Sequence, residues 1–488
     1  ISTLIVLINL SLKAQITGVV YKDYNGNGSR QVLSPFVEPG VEGVIINAYN
    51  SSNTLINTTV SAANGSYSLP FSVPVRIEFV VPASTACVAN TVDYSSKSGD
   101  GNNVRFISSS TSGLNYGILY KEDFVSTSNP NIYVPQHSNG NPLGSGTAAS
   151  TTVFKGFLAN SSGAVTASNT IANSSIGTVW GVAYSKQAKK IFASAFIKRH
   201  CGLGPLGSGG IYLLTPSGSS FSVVNFYDMD ANTYRTRAAA GAPAYGNSSS
   251  FTISGNNIIT YNGTIDIASG SPSGLGVVGD NGAGGRNLPD DRVVSNNDPA
   301  AFDQIGKVGI GAIELSDDGR FLFVMNLYDR KLYRLELNNA YNPTSVVAVL
   351  SYSLPAVSVT NGVLRPFALR YYRNKLFVGA VASGENGGSN IVGGATDLFA
   401  HVFELNNPTS SATFSPTPVL SFPLNYQKGP ALTTFCTQWF PWTNNSQALS
   451  TPAFGESCYP TPMLTDIDFT DRGDMIVDFT DRSGHQWG

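Results

Sequence analysis

Gly309-Ile310-Gly311-Ala312-Ile313-Glu314-Leu315 runs through Ser316-Asp317-Asp318-Gly319-Arg320 into Phe321-Leu322-Phe323-Val324-Met325-Asn326, and Asp329-Arg330 then leads into Lys331-Leu332-Tyr333-Arg334-Leu335-Glu336-Leu337. Three apolar runs of strand length, separated by an Asp-Gly turn and an Asp-Arg turn, are what one blade of a β-propeller presents. In Asp317-Asp318-Gly319 the two acids open a tight turn, so they read as turn formers and not as a catalytic pair.

The same grammar recurs on either side. Val179-Trp180-Gly181-Val182-Ala183-Tyr184 precedes Lys190-Ile191-Phe192-Ala193-Ser194-Ala195-Phe196, and further units begin near Phe251, Pro366 and Asp466. Their spacing is uneven, which implies long insertions such as the Gly- and Asn-rich stretch from Gly270 to Pro299. Residues 121–488 have room for about six or seven blades at the usual repeat length. A second array of sandwiches is the alternative.

Composition points the same way. The chain has 50 Gly, 22 Tyr and 26 Phe against only 12% charged residues, and helical proteins use more Glu, Lys, Leu and Ala than that. An all-β chain of 488 residues has length for two cores, one small and one large. The formal net charge of -2 argues against a polyanion-binding surface, so nucleic acid is not an expected partner.

Ile1 to Leu12 is almost wholly apolar, and Lys13-Ala14-Gln15 offers a small residue for cleavage after Ala14. That run is too short to span a bilayer and has the length of a signal-peptide core. Residues 1–14 are therefore expected to be a signal-peptide remnant, and the mature protein to be secreted or at the cell surface without a transmembrane segment. An exported chain tends to oxidise its cysteines. Cys436 and Cys458 are expected to bridge across a Trp- and Pro-rich loop, while Cys87 with Cys201 stays open as a second pair.

Residues 15–120 read as a first domain of short strands: Gly18 to Tyr21, Gly43 to Tyr49, Thr58 to Ser61, Ser66 to Leu69, Arg76 to Val81, Asn103 to Ile107 and Leu114 to Leu119. Alternation over Val44 to Tyr49 and a turn at Asn64-Gly65 suit a small antiparallel sandwich of the immunoglobulin-like kind. Within it, Asp23-Tyr24-Asn25-Gly26-Asn27-Gly28 sets oxygen-bearing side chains at alternate positions with glycines between them, the way a loop wraps a hard cation. Glu38 is available as the acidic closing ligand, after more residues than a twelve-residue loop contains. With two carboxylates, affinity would be modest and suited to extracellular calcium. The plain alternative is an Asn-Gly turn between two strands.

Gly18-Val19-Val20-Tyr21-Lys22-Asp23-Tyr24-Asn25-Gly26-Asn27-Gly28, then Glu38-Pro39-Gly40-Val41-Glu42-Gly43-Val44, then Ala63-Asn64-Gly65-Ser66-Tyr67-Ser68, resembles the B-type repeat of Gram-positive serine-aspartate adhesins, a calcium-binding immunoglobulin-like stalk module of bacterial surface proteins. The resemblance implies Asp23, Asn25, Asn27 and Glu38 as Ca2+ ligands, with the Ser29 carbonyl as a fifth. Gln31 stands near where that family usually has another acid, and the insertion before Glu38 departs from its spacing.

The second half is similar to the propeller-like region that follows such a module in large bacterial surface proteins. The resemblance rests on Val179 to Tyr184, Arg199-His200-Cys201-Gly202-Leu203-Gly204-Pro205, Asp298 to Phe302, Gly306 to Gly311, Asn326 to Tyr333 and Leu464 to Ile467. It implies location and architecture and transfers no activity. Asp481-Arg482-Ser483-Gly484-His485-Gln486 reads as a motif that normally continues, so the chain is expected to belong to a longer surface protein.

For catalysis the sequence offers His137, His200, His401 and His485, none spaced with a second His for a metal. Arg199-His200 reads as structural, with Arg199 facing an acid and His200 holding a loop. Asp290-Asp291 is a further acidic pair. Asp466 and Asp468 alternate along a strand and share a face, most simply in a salt link with Arg472 or Arg482. Trp439, Trp442 and Tyr459 read as rings packing their own loop rather than as a sugar platform. The reading is therefore adhesion or surface display toward an unknown protein or glycan, not catalysis. An extracellular propeller hydrolase or lyase acting on glycans, with Asp466 as acid and His200 as base, is the alternative.

Overall fold

A computed structural model describes residues 14–23, 29–32, 38–71, 74–82, 103–118, 129–237, 250–252, 258–260, 288–296, 298–302, 304–372, 374–385, 394–428, 437–443, 459–470 and 474–487. Regular structure is nearly all β, in two compact units, Ile1–Ser128 and Asn129–Gly488. Among the described residues no helix is long and apolar enough to cross a membrane.

The first unit holds β1 (Ala14–Lys22), β2 (Ile45–Tyr49), β3 (Leu55–Val60), β4 (Ser66–Phe71), β5 (Val75–Val80), β6 (Val104–Ile107) and β7 (Tyr116–Ile118). These lie within a few residues of the strands read from the sequence. They form two sheets, β4-β1-β7 and β3-β2-β5-β6, with β1 antiparallel to β4 and parallel to β7. Period-two alternation drives both sheets onto one core: Ile16 and Val20 of β1, Ile46 and Ala48 of β2, and Ile77 and Phe79 of β5 meet Tyr67, Leu69, Tyr116 and Ile118. Phe79 stacks on Tyr116 with ring centroids 4.3 Å apart. The Asn64-Gly65 turn needs its glycine, because φ is +78° and a Cβ would fall 2.0 Å from the Val20 carbonyl oxygen.

The second unit opens with β8 (Asn131–Pro135), β9 (Thr152–Leu158), β10 (Asn169–Ala172), β11 (Val179–Ser185), β12 (Lys190–Ala195), β13 (Gly210–Ser217) and β14 (Ser220–Asp228), joined as one seven-stranded sheet in the order β11-β12-β13-β14-β10-β9-β8. A hairpin of β15 (Ser250–Thr252) and β16 (Ile258–Thr260) follows. Next come β17 (Ile310–Leu315), β18 (Phe321–Asn326), β19 (Lys331–Leu337) and β20 (Val346–Ser353), a four-stranded antiparallel sheet. β21 (Leu364–Tyr372), β22 (Lys375–Ala382), β23 (Phe399–Asn406), β24 (Thr413–Phe414) and β25 (Leu420–Pro423) make a five-stranded sheet in which β24 and β25 both pair with β23, and β26 (Pro462–Phe469) pairs with β27 (Met475–Asp481). The short helices are α1 (Thr147–Ser150), α2 (Asn173–Ile176), α3 (Pro299–Phe302) and α4 (Arg482–Trp487).

These sheets stack face to face. Along β18, Phe321, Phe323 and Met325 enter a core shared with β21, β22 and β23, while Leu322 and Val324 enter the core shared with β12 and β13. A strand buried on both faces needs a continuous apolar run, which is what Phe321 to Met325 supplies. Leading strands lie side by side, β11 by β17, β17 by β21 and β21 by β26. Each of the four breaks register with its second strand, between Val179 and Val182, Ile310 and Ile313, Pro366 and Ala368, and Leu464 and Asp466. A bulge bends the strand and re-aims the extra side chain. Glycine at two of these bulges lets neighbouring backbones close in: a Cβ on Gly181 would lie 2.9 Å from the Gly311 carbonyl oxygen, and one on Gly311 would lie 3.0 Å from that of Phe367.

Candidate functional site

At the end of β1, Lys22 N–H donates to the Pro39 carbonyl at 2.9 Å, and Tyr21 bridges Gly40, so the two sides of the loop between them are fastened together. This brings Asp23 and Glu38 to one place, both buried, at 0% and 2% exposure. The phenol of Tyr21 feels both: burial, then Asp23, then Glu38 push it far above its ordinary value. Glu38 Oε2 accepts from Gln31 N–H at 2.9 Å, and its carbonyl accepts from Arg30 Nε at 3.2 Å. The Gln31 side-chain oxygen is buried with no hydrogen-bond partner among the described residues. Ser29 is described and exposed, whereas Asn25 and Asn27 lie outside the described residues. Among the described residues no three His, Cys, Asp or Glu gather as a metal site. The candidate set has only two carboxylates and draws its other oxygens from amides and a carbonyl, hard donors of the kind calcium takes.

In the second unit, motifs far apart in sequence converge on α4. Asp481 accepts from the backbone of Ser483 at 2.9 Å and from Thr461 N–H at 2.8 Å, fixing the start of the helix. Arg482, fully buried, donates through Nε to the Ile305 carbonyl at 2.8 Å and through Nη1 to that of Thr443 at 3.1 Å, with its guanidinium over the Trp442 ring. Gln486 donates to the Phe302 carbonyl at 2.9 Å. Arg199 Nη1 reaches the Gln486 carbonyl at 3.0 Å and also feels Asp298. His200, at φ +68°, takes Asp298 Oδ2 on its backbone N–H at 2.7 Å and has Nδ1 2.8 Å from Asn296 Oδ1. Arg199 and His200 thus hold loops in place, as their sequence context suggested.

Two bulge positions, Trp180 and Phe367, turn toward this junction. Trp180 lies 5.2 Å from both Phe196 and His485, 5.8 Å from Phe367 and 6.4 Å from His137, between ring centroids. Burial pushes His137 down to about 4 and His485 down to about 3, with Lys198 adding to both. His137 was named in the sequence only as an isolated histidine; nothing in its surroundings along the chain announces these neighbours.

Opposite charges meet where β17, β21 and β26 run side by side. Arg370 Nη2 pairs with Asp468 at 2.7 Å, and its Nη1 stands 4.0 Å from Glu314. Burial pushes the Glu314 carboxyl up to about 8 despite Arg370, and burial also raises Asp466. Asp466 and Asp468 share the exposed side of β26, with Ile467 buried between them. Asp468 has a salt partner that the sequence reading did not name, Arg370 from the neighbouring sheet; Arg482 donates to backbone carbonyls, and Arg472 lies outside the described residues. His200 is held by Asp298 and Asn296, whereas Asp466 lies on β26 near Arg370.

Elsewhere, Asp318 accepts from Ser316 Oγ at 2.6 Å and from Arg320 N–H at 3.0 Å, as a turn former does. Asp290 and Asp291 fasten the turn before α1: Asn141 Nδ2 donates to Asp290 at 3.1 Å and Thr147 Oγ1 to Asp291 at 2.8 Å. Trp439 and Trp442 are each 3% exposed, and Trp442 Nε1 donates to the Pro462 carbonyl at 2.7 Å. Cys201 is buried with Sγ 3.6 Å from Asn139 Oδ1, while Cys87, Cys436 and Cys458 lie outside the described residues.

No family model matches the chain. It is similar to Colossin-C of Dictyostelium discoideum, 25% identical over 479 residues covering 96% of this chain and 40% of that protein. It is also similar to Colossin-A of the same organism, 24% identical over 513 residues covering 98% of this chain and 4% of that protein. The chain therefore spans well under half the length of these relatives. Among solved structures, a glycoside hydrolase family 32 protein from Bifidobacterium adolescentis overlaps 96% of this chain and 62% of its own at 8% identity, with a TM-score of 0.24. An aldose sugar dehydrogenase from Streptomyces coelicolor overlaps 56% of this chain and 97% of its own at 12% identity, with a TM-score of 0.14. Overlaps this loose carry no argument about fold or activity.

Proposed function

We propose that the chain is a secreted or cell-surface protein for adhesion or surface display, in which a calcium-stiffened immunoglobulin-like module of the serine-aspartate B type accompanies a β-propeller-like interaction domain. One observation carries this reading: Asp23 and Glu38 are both buried where Tyr21 and Lys22 pair with Gly40 and Pro39. Burying two like charges is costly unless a cation or close hydrogen bonds compensate, and an exported protein meets calcium at concentrations that suit such a loop. The Gln31 oxygen, buried without a partner among the described residues, suits the same ion. The repeated bulge in four leading strands supports a propeller-like repeat, since one supersecondary unit used several times repeats its irregularities. The partner would be a protein or glycan on another surface. The test is capture of the purified chain by arrayed glycans and by cell surfaces, with and without a calcium chelator. Binding that weakens under chelation supports the reading, and failure to bind any surface in either condition refutes it.

A second reading, a glycan hydrolase or lyase, is favoured by one specific feature. Glu314, held toward its protonated form, faces the Arg370 and Asp468 pair, and acid catalysis uses such a contrast between neighbouring carboxyl groups. Release of reducing ends from polysaccharides by the wild type and not by Glu314→Gln would establish it.

A further inference from the structure

An asparagine followed two residues later by serine or threonine can accept a sugar chain in an exported protein, provided its side chain stays at the surface. Among the described residues such triplets stand at Asn50, Asn57, Asn64, Asn160 and Asn173, and the fold treats them differently. Asn64 is exposed in the turn between β3 and β4, where its Oδ1 accepts from the Ser66 backbone N–H at 3.0 Å and from Ser66 Oγ at 2.7 Å. The hydroxyl that completes the triplet is thus already folded onto the amide. Asn160 is exposed in the turn after β9, its Oδ1 accepts from Asn129 Nδ2 at 2.7 Å, and Ser162 is exposed beside it. Neither Asn64 nor Asn160 uses its Nδ2 in a hydrogen bond among the described residues. Asn173 is the opposite case, 0% exposed at the start of α2 with Nδ2 donating to the Ala148 carbonyl at 3.0 Å. Asn50 and Asn57 are half-buried, the first holding Ser52 N–H through Oδ1 and the second donating through Nδ2 to the Pro70 carbonyl.

An amide nitrogen shares its lone pair with the carbonyl, so it attacks only once a proton is on its way off. Hydrogen bonds donated to Oδ1 draw electron density toward oxygen and ease that loss, while Nδ2 stays uncommitted. We propose that Asn64 and Asn160 carry N-linked oligosaccharide. In the transfer, Nδ2 forms a bond to C1 of the first sugar of a lipid-diphosphate-linked oligosaccharide and gives up one proton. The bond from C1 to the diphosphate oxygen breaks, and the lipid diphosphate leaves with the electron pair. A sugar chain on Asn173 would have to occupy space already filled around Ala148, so folded molecules do not carry one there. Modification of this kind rests on the exported location and owes nothing to the calcium loop.

The full chain, behind a supplied export leader, would be secreted from cultured animal cells, and its folded fraction digested and read as intact glycopeptides by mass spectrometry. Intact glycopeptides are needed because an Asn-Gly pair such as Asn64-Gly65 also converts to Asp without any sugar. Asn64 and Asn160 are expected to carry glycan in most secreted molecules, and Asn173 in none. Ser66→Ala should lose the Asn64 glycopeptide and Ser66→Thr should keep it, both with the circular dichroism of the wild type. A bare Asn64, a bare Asn160, a glycan on Asn173 of folded molecules, or an Asn64 glycopeptide that persists in Ser66→Ala would each overturn the assignment. The supplied leader secures export, so a bare Asn64 would leave the surface-display reading standing. A chain glycosylated at both positions that captures no surface would remove that reading and keep these sites.

Discussion

Arg482 donates through Nε to the carbonyl oxygen of Ile305 at 2.8 Å, with its whole side chain out of solvent. Helix α4 is thereby fastened to the segment that leads from α3 into β17. Truncation would strand the Ile305 carbonyl and leave that of Thr443 with Gln486 Nε2 at 3.3 Å, and a buried polar group left unpaired costs about 1–3 kcal/mol. Arg482→Ala should therefore lower stability by roughly 3–5 kcal/mol once lost packing against Trp442 is included. Arg482→Lys should recover only part of this, because an ammonium cannot serve both carbonyls with a planar fork. Urea denaturation followed by tryptophan fluorescence checks it, and an unchanged midpoint for Arg482→Ala would show that α4 is not held this way.

The first unit should answer to calcium through Asp23 and Glu38. A ligand at about a hundred times its dissociation constant stabilises the state it binds by ~2.7 kcal/mol. For a domain of this size that corresponds to a rise in melting temperature on the order of ten degrees or more. Chelator should remove the rise, and Asp23→Asn or Glu38→Gln should remove most of it while relieving like-charge repulsion in the metal-free protein. Differential scanning calorimetry with and without chelator decides, and identical traces would reduce the loop to a plain turn.

Glu314 makes the folded protein lose stability as pH rises from acid toward neutral and mildly alkaline values. Its carboxyl sits at about 8 in the folded protein against an ordinary 4.5, so between those values the folded state holds a proton that the unfolded state has released. Stability contributed by this group falls as pH rises through that window and is level above it. A fifth of the side chain remains exposed, so water screens part of the effect. Glu314→Gln should flatten the slope between pH 5 and pH 8, as read from denaturation midpoints; an equal slope in the variant would argue against it.

The two junction histidines act on the acid side. Burial holds His137 near 4 and His485 near 3, below the ordinary 6.5, so the unfolded state takes up protons first as pH falls. Stability is complete above about 6.5 and declines toward the folded values. His485→Phe keeps a ring against Trp180 and Phe196 and should blunt the loss of stability between pH 6 and pH 4. Thermal melts across that range would show it, and unchanged acid sensitivity would point to other groups.

Much of the fold was legible in local sequence. Val44 to Tyr49 alternates, Asn64-Gly65 turns, and Phe321 to Met325 is apolar without a break, so strand positions and even double-sided burial follow from side-chain period and turn chemistry. The site was less legible. Asp23 and Glu38 stood out because acids flank an Asn- and Gly-rich loop, whereas Glu314 looked like one more strand residue and His137 like a stray histidine.

Local sequence determined which segments become strands, because backbone preference and alternation act over a few residues. The tertiary structure alone decided which strands lead each sheet side by side, that Arg370 and not Arg482 meets Asp468, and that Trp180, His137 and His485 share one spot. Those pairings depend on where bulges bend the chain and on how closely Gly181 and Gly311 let backbones approach, and they are set by packing between segments far apart in sequence.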